Sequence, residues 1–158
     1  MANTFSQIYL QFVFAVQHRL NLIPQQHKDE LHKYISGLVR ARDAKMLAIN
    51  CMPDHAHIFT GFKPTIYMPD FVKEIKVESN EFIVGKGWVG PHFNWQEGYG
   101  VFSYSRSHID RVIKYIHNQE KHHRKKTFKK EYIDTLDKFE VSYQKRFLFD
   151  FSDKLYPS

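Results

Sequence analysis

Residues 45–62, KMLAINCMPDHAHIFTGF, constrain the fold more than any other stretch of the chain. Two apolar runs of strand length are separated only by Pro53-Asp54, a dipeptide with turn chemistry. A parallel crossover needs a dozen residues or more, so strands joined this closely lie antiparallel. Residues 45–52 and 55–62 are therefore expected to form a hairpin. Before it, residues 5–16 alternate. Ile8, Leu10, Phe12, Phe14 and Val16 share one face, with Tyr9 and Gln11 on the other, which is the pattern of a half-buried strand. Pro24 suits the first turn of a helix, and Leu31, Tyr34, Ile35, Leu38 and Val39 recur at helical spacing. After the hairpin, Pro69 opens a second amphipathic helix whose stripe runs from Met68 through Phe71, Val72, Ile75, Ser79 and Phe82 to Ile83. Gly85, Gly87 and Gly90 end it, and residues 93–105 read as a loop plus a fourth strand. The order β-α-β-β-α-β is the split-βαβ motif. It predicts an α+β, ferredoxin-like antiparallel sheet with helices packed on one face.

A third helix is expected to start at Ser107, with Asp110 three residues on in an approximate capping box, and to run through residues 108–123. Its apolar stripe is Ile109, Val112, Ile113 and Ile116. At about 100° per residue, Tyr115 falls off that stripe. Tyr115 and Gln119 are i and i+4, one above the other, and His108, Arg111 and His122 extend the same polar flank. By periodicity alone this flank is a solvated helix face. A shorter helix is expected after Thr127. The end, residues 139–158, is too apolar for a loose tail and is expected to pack on the body or on a partner chain. The chain reads as a single domain over residues 1–158, with its core at about 4–138.

The formal charge is +6 and the pI about 9.3, which suits an anionic partner such as nucleic acid or a membrane surface, or simply a basic soluble protein. Cys51 is the single cysteine, so an intrachain disulfide or a multi-cysteine zinc site is excluded; a small buried residue is its expected role. The N-terminal apolar run lacks a basic leader, and no apolar stretch reaches the roughly 20 residues that span a bilayer. The expected location is the cytoplasm, away from membranes.

Within the hairpin, His55 and His57 are two positions apart on one strand face, about 6.6 Å along the chain. Two imidazoles so placed can share one metal ion, or they can be ordinary histidines in a chain that has 10 of them. Asp54 either orients His55 by a hydrogen bond or only makes the turn. The tract KHHRKKTFKK, residues 121–130, has no acid in it. Lys121, Arg124, Lys125 and Lys126, with Arg111, are candidates for gripping phosphates, and Arg40, Arg42 and Lys45 for extending that surface. Trp95, Tyr99 and Tyr104 either stack on unpaired bases or fill the core.

DHAHIF on a central strand, followed some sixty residues later by VIKYIHNQ on a helix, resembles the single-tyrosine transposases of insertion-sequence-200 type. These belong to the superfamily named for histidine–hydrophobe–histidine; Ala56 is a small occupant of its hydrophobic slot. The resemblance extends from the first strand to about residue 138 and implies a catalytic C-terminal helix. It implies that His55, His57 and Gln119 bind a divalent metal, magnesium or manganese. It implies that Tyr115 attacks a phosphate of single-stranded DNA, leaving a 5′-phosphotyrosine and a free 3′-OH. It also implies recognition of DNA hairpins at element ends, and a homodimer in which the tyrosine helix of one chain completes the histidine site of the other. A ligand set of two imidazoles and one amide carries no charge, an unusual environment for magnesium.

Other readings are weaker. An RNA-recognition module would need the Lys/Arg-Gly-Phe-Gly/Ala-Phe string on its sheet, which is absent. A histidine phosphoesterase would need paired His-x-Ser/Thr motifs, also absent. A non-catalytic or domesticated hairpin-binding protein is not separated from a mobile transposase by sequence.

Overall fold

The computed structural model describes residues 4–20, 22–145 and 148. Strands β1 (Ile8–Ala15), β2 (Lys45–Met52), β3 (His55–Phe62) and β4 (Gly100–Tyr104) enclose helix α1 (Lys28–Ala41) between β1 and β2, and α2 (Met68–Gly85) between β3 and β4. Helices α3 (Ile109–His117), α4 (Gln119–Lys125) and α5 (Phe128–Lys138) follow. The sheet order is β2-β3-β1-β4, with every neighbouring pair antiparallel. This is the ferredoxin-like α+β arrangement that the element order implied. Met52 pairs with His55 across the Pro53-Asp54 turn, so the hairpin also forms as expected.

Cross-strand partners share a face, and the registers divide the sheet cleanly. Phe12 lies opposite Ile58, and Leu10 opposite Thr60; with Phe14 and Phe62 they meet the apolar stripes of α1 and α2. The ring of Phe71 on α2 packs 5.4 Å from Phe12 and 5.1 Å from Phe62. Arg42, just past α1, ties the two helices together by bonding Glu74 and Glu78 at 2.6 Å each. That pairing corrects its assignment to a phosphate-binding surface.

The reading of β1 as half-buried is also corrected. Gln11, Val13 and Ala15, on its second face, are as buried as Phe12 and Phe14. The reason is that the chain after residue 105 folds back over that face. Val112 and Ile116 of α3 pack on Phe59 and Ala48, while Phe128 of α5 stacks on His55 at 3.8 Å. The sheet is thus covered by α1 and α2 on one side and by α3, α4 and α5 on the other.

The third helix is not one helix. It ends at His117, breaks at Asn118 (φ −99°, ψ 23°) and restarts as α4. Asn50 on β2 donates to the Ile116 carbonyl at 2.8 Å, supplying a donor in the last turn, where a helix runs out of its own. The expected capping box at Ser107 does not form. The helix is entered through one 3-10 turn, Arg106–His108, without a side-chain cap, and the Ser105 and Ser107 hydroxyls bond the His108 ring instead. By contrast Thr127 does cap α5, accepting from the Lys130 N–H at 3.2 Å. Gly100 fixes how closely α5 approaches β4. A Cβ there would fall 2.5 Å from the Tyr132 hydroxyl and 2.9 Å from its ring, so any larger residue forces the Tyr132 side chain to shift.

Leu148 packs against the core and its carbonyl accepts from the Gln96 amide at 3.4 Å. The rest of the expected packing of the tail, at residues 146, 147 and 149–158, lies outside the described residues. Among the described residues no helix is long and apolar enough to cross a membrane.

Candidate active site

Alternation along β3 aims His55 and His57 at the face covered by α3, α4 and α5. There they meet His123 from α4 and Glu131 from α5, and ligand atoms of all four lie within 4.8 Å of one another. The Nδ1 side of each strand histidine is already occupied. His55 Nδ1 is 2.7 Å from Asp54 Oδ1, and His57 Nδ1 is 2.8 Å from Gln11 Oε1. Both partners are acceptors, because the Gln11 amide nitrogen donates the other way, to the Tyr104 hydroxyl at 2.9 Å. Each imidazole therefore carries its proton on Nδ1 and turns the Nε2 lone pair inward. Asp54 thus both makes the turn and orients His55.

The two Nε2 atoms face Glu131 Oε1, which lies 3.2 Å from His57, 4.0 Å from His55 and 3.5 Å from His123 Nε2. His55 Nε2, His57 Nε2 and Glu131 Oε1 are all buried, and none makes a hydrogen bond of acceptable geometry. Burying three such atoms unsatisfied is costly, and native proteins rarely do it without a purpose. Converging lone pairs on imidazole nitrogen and carboxylate oxygen form the environment a divalent cation fills. The residues present fit a metal.

The charges agree. Burial pushes His55 below its usual value, against the opposing pull of Asp54, so it is a neutral ligand. Burial alone would raise the Glu131 carboxyl; positive charge at the facing imidazoles of His57, His123 and His55, which a proton carries in the metal-free protein and a bound cation would replace, outweighs it and holds the group below the usual carboxylate range. The centre therefore contains a negative charge, which a set of His55, His57 and Gln119 would not have.

Tyr115 is half-buried on α3, its ring centroid 6.1 Å from that of His57 and 4.6 Å from that of His122. Its hydroxyl donates to Glu131 Oε2. Burial, and then the neighbouring Glu131 charge, raise the phenol above its usual value, so it is protonated at rest. One carboxylate thus touches the tyrosine hydroxyl with one oxygen and the imidazole cluster with the other.

Gln119 is fully buried, but its amide is engaged elsewhere: Oε1 accepts from His123 Nε2 at 2.9 Å, and Nε2 reaches the Tyr115 carbonyl at 3.4 Å. Its amide also reaches the Tyr115 phenol, so it stands beside the cluster, between His123 and the tyrosine. Arg111 is exposed on α3, at the mouth of a cavity beside Tyr115. Lys121, Arg124 and Lys125 are exposed on α4 without a partner among the described residues, whereas Lys126 is held by Asp134 at 2.8 Å. Trp95 is a core residue, edge-on to Phe14 at 4.8 Å. Tyr104 lines the cavity.

Sequence reasoning missed Gln11, His123 and Glu131. Gln11 gave a faint signal, a polar residue in an otherwise apolar strand. His123 is i+4 from Gln119, a spacing visible in the sequence. Glu131 had no local signal, since it follows a basic tract and reaches the site only because α5 folds back.

A sequence model of the family described as IS200-like transposases matches residues 4–119. The ISDra2 transposase TnpA of Deinococcus radiodurans is 23% identical over 120 residues, spanning 72% of this chain and 84% of that protein. A crystal structure from the same organism, of a protein assigned as a transposase, superposes with a TM-score of 0.60 at 22% identity, covering 75% of this chain and 95% of that one. The structure of a REP-associated tyrosine transposase bound to a REP hairpin gives a TM-score of 0.56 at 16% identity, covering 78% and 73%. At these identities the two structures speak for the fold.

Proposed function

The chain belongs to the IS200-like transposase family, and from that premise we propose that it cleaves and rejoins single-stranded DNA through a 5′-phosphotyrosine intermediate, with Tyr115 as nucleophile. The observation that carries this reading is the single carboxylate, Glu131, that joins the Tyr115 hydroxyl to the imidazole cluster.

In the forward step the Tyr115 oxygen bonds to phosphorus as its proton passes to Glu131 Oε2, because a carboxyl so far below the phenol cannot generate a free phenolate beforehand. The P–O3′ bond breaks, and the departing 3′-oxygen takes up a proton to become the free 3′-OH. Rejoining is the reverse: a 3′-OH attacks the phosphotyrosine and the phenol leaves. The phosphodiester energy is kept throughout, so no nucleotide cofactor is consumed. A raised phenol pKa makes an acceptor at the hydroxyl necessary, and Glu131 is the group in contact with it. His55, His57 and Glu131 would hold a divalent cation, with His123 and Gln119 beside them; bound there, it supplies Lewis-acid polarisation of a phosphate oxygen. The carboxylate suits manganese or magnesium, and the imidazoles favour manganese of the two. Asp54 and Gln11 position the two histidines.

The site is proposed to act in cis, because one chain supplies the tyrosine, the histidines and the carboxylate. In a homodimer each chain then carries its own complete site. The exposed cations of α4 are proposed to hold the DNA backbone, and hairpins flanking the gene are the proposed recognition elements.

The test uses single-stranded oligonucleotides spanning those hairpins, incubated with manganese and resolved on a denaturing gel. A covalent protein–DNA adduct is expected with the native protein and none with Tyr115→Phe. Adduct from the phenylalanine variant would assign the nucleophile elsewhere; binding without adduct from the native protein would favour a non-catalytic hairpin binder.

A further inference from the structure

Beside Tyr115 lies a cavity of about 620 Å³ between α3, α5 and strands β1 and β4, within the roughly 300–1,000 Å³ of small-molecule sites. We infer that it receives one unpaired nucleotide adjoining the scissile phosphate, its base against Tyr104 and Phe139 and its backbone on Arg111 and Lys138. The inference rests on the transposase reading and specifies how the strand lies in that site.

The aromatic wall is built and fixed in place. Tyr104 and Phe139 meet edge-on at 5.3 Å, and Tyr104 is held from behind by Phe59 at 5.8 Å. Its hydroxyl is pinned by the Gln11 amide at 2.9 Å, the same amide that orients His57. The ring a base would meet is therefore anchored to the imidazole that serves the reaction. Aromatic rings held this way are the usual platform for unpaired bases.

The charge balance at the cavity is positive. Its two carboxylates are both engaged: Asp134 bonds Lys126 at 2.8 Å and Lys130 at 3.0 Å, and Glu131 holds Tyr115. Arg111 and Lys138 line the same cavity and have no acidic partner among the described residues. A duplex cannot enter a space of this volume, whereas one extruded nucleotide can. Two polar groups of the floor are already used, since the Gln11 amide is bonded at both ends and the Thr135 hydroxyl donates to the Glu131 carbonyl at 2.8 Å. Recognition there should therefore depend on stacking and phosphate charge, with little preference among the bases.

The experiment begins from the cleavage position mapped by the adduct gel. Oligonucleotides with a single abasic site, or a single 2-aminopurine, at each position flanking the scissile phosphate are the probes. One position is expected at which an abasic site lowers the native protein's adduct yield by roughly 5- to 150-fold, the range of one lost base–aromatic stack. 2-Aminopurine at that position should be quenched on binding to Tyr115→Phe protein. In Tyr104→Leu the quench and the abasic penalty should both vanish, and Tyr104→Phe should restore both. Arg111→Gln, on an exposed side chain that leaves the core alone, should weaken binding of every probe by a similar factor whatever the base. The inference is overturned if no position shows an abasic penalty, if the penalty persists in Tyr104→Leu, or if Arg111→Gln binds like the native protein. Each of those results leaves adduct formation by the native protein intact. Absence of any adduct with unmodified DNA would instead overturn the transposase reading.

Discussion

Gln11→Leu is the most informative single change, because Gln11 touches neither the tyrosine nor the orphaned ligand atoms. Its amide accepts from His57 Nδ1 and donates to Tyr104. Leucine removes both bonds and leaves a buried imidazole N–H without a partner, which costs about 1–3 kcal/mol of stability in the metal-free protein. The effect on metal is separable. Loss of a hydrogen bond that orients a ligating histidine weakens metal affinity by roughly 10- to 100-fold. At manganese equal to a hundred times the native Kd, binding stabilises the native protein by about 2.7 kcal/mol, a rise in Tm of about 5–11 °C for a domain of this size. In Gln11→Leu the same concentration is only about one to ten times Kd, and the stabilisation falls to about 0.4–1.4 kcal/mol. The Tm difference with and without manganese, alongside a direct titration followed by electron paramagnetic resonance, measures this. Gln11→Glu keeps an acceptor for His57 and should bind manganese at least as tightly as the native protein. If Gln11→Leu is destabilised but its manganese affinity stays within twofold of native, Gln11 is packing alone and the account of the His57 orientation is wrong.

Other outcomes follow from the same geometry. His57→Ala should abolish the manganese-dependent rise in Tm and the adduct together, while chelator should abolish adduct formation by the native protein; an unchanged rise in Tm would remove the strand histidines from the metal site. Mixing Tyr115→Phe with His57→Ala, co-expressed so that subunits exchange, should stay inactive because the site is complete within one chain; recovery of adduct would establish the trans arrangement. Gly100→Ala should cost about 1–3 kcal/mol by overpacking and lower adduct yield through displacement of α5, read by denaturant unfolding and the gel; native behaviour would show that Tyr132 moves aside freely. His32 is held to about 4 by burial and then by Lys28, with the Cys51 N–H bonded to its ring at 2.9 Å. The unfolded chain therefore binds a proton near the ordinary histidine value that the folded chain refuses, and the His32 contribution to stability should fall as pH drops from about 6.5 to 4 and level off below. Allowing for solvent screening of a partly exposed ring, the loss is about 2 kcal/mol, and an unfolding series in which His32→Gln shows the same slope would refute the assignment.

The parts of this molecule that were legible in the sequence are those set by local chemistry. Pro53-Asp54 between two strand-length runs specified the β2–β3 hairpin, and with it the side on which His55 and His57 emerge. The stripes of α1 and α2 were legible because each buries a single face against the sheet. What failed were the features decided by a second layer. The alternation of Gln11, Val13 and Ala15 looks half-polar only if nothing covers it, and the covering elements lie almost a hundred residues away in the chain. The break at Asn118 has no proline or glycine to announce it; it coincides with a donor, Asn50, brought in by β2. The ligand set shows the same limit. Two histidines on a strand and a glutamine one helical turn from a tyrosine are patterns of spacing, so they could be read. Glu131 has no spacing relation to any of them, and its place depends on how closely α5 approaches β4, which Gly100 sets. The ligand set proposed for the site adds Glu131 to the uncharged one that the sequence suggested. The charge that set gains is carried by the group that also accepts the Tyr115 hydroxyl's hydrogen bond, so the electrostatics of the cluster and of Tyr115 cannot be altered separately at that position.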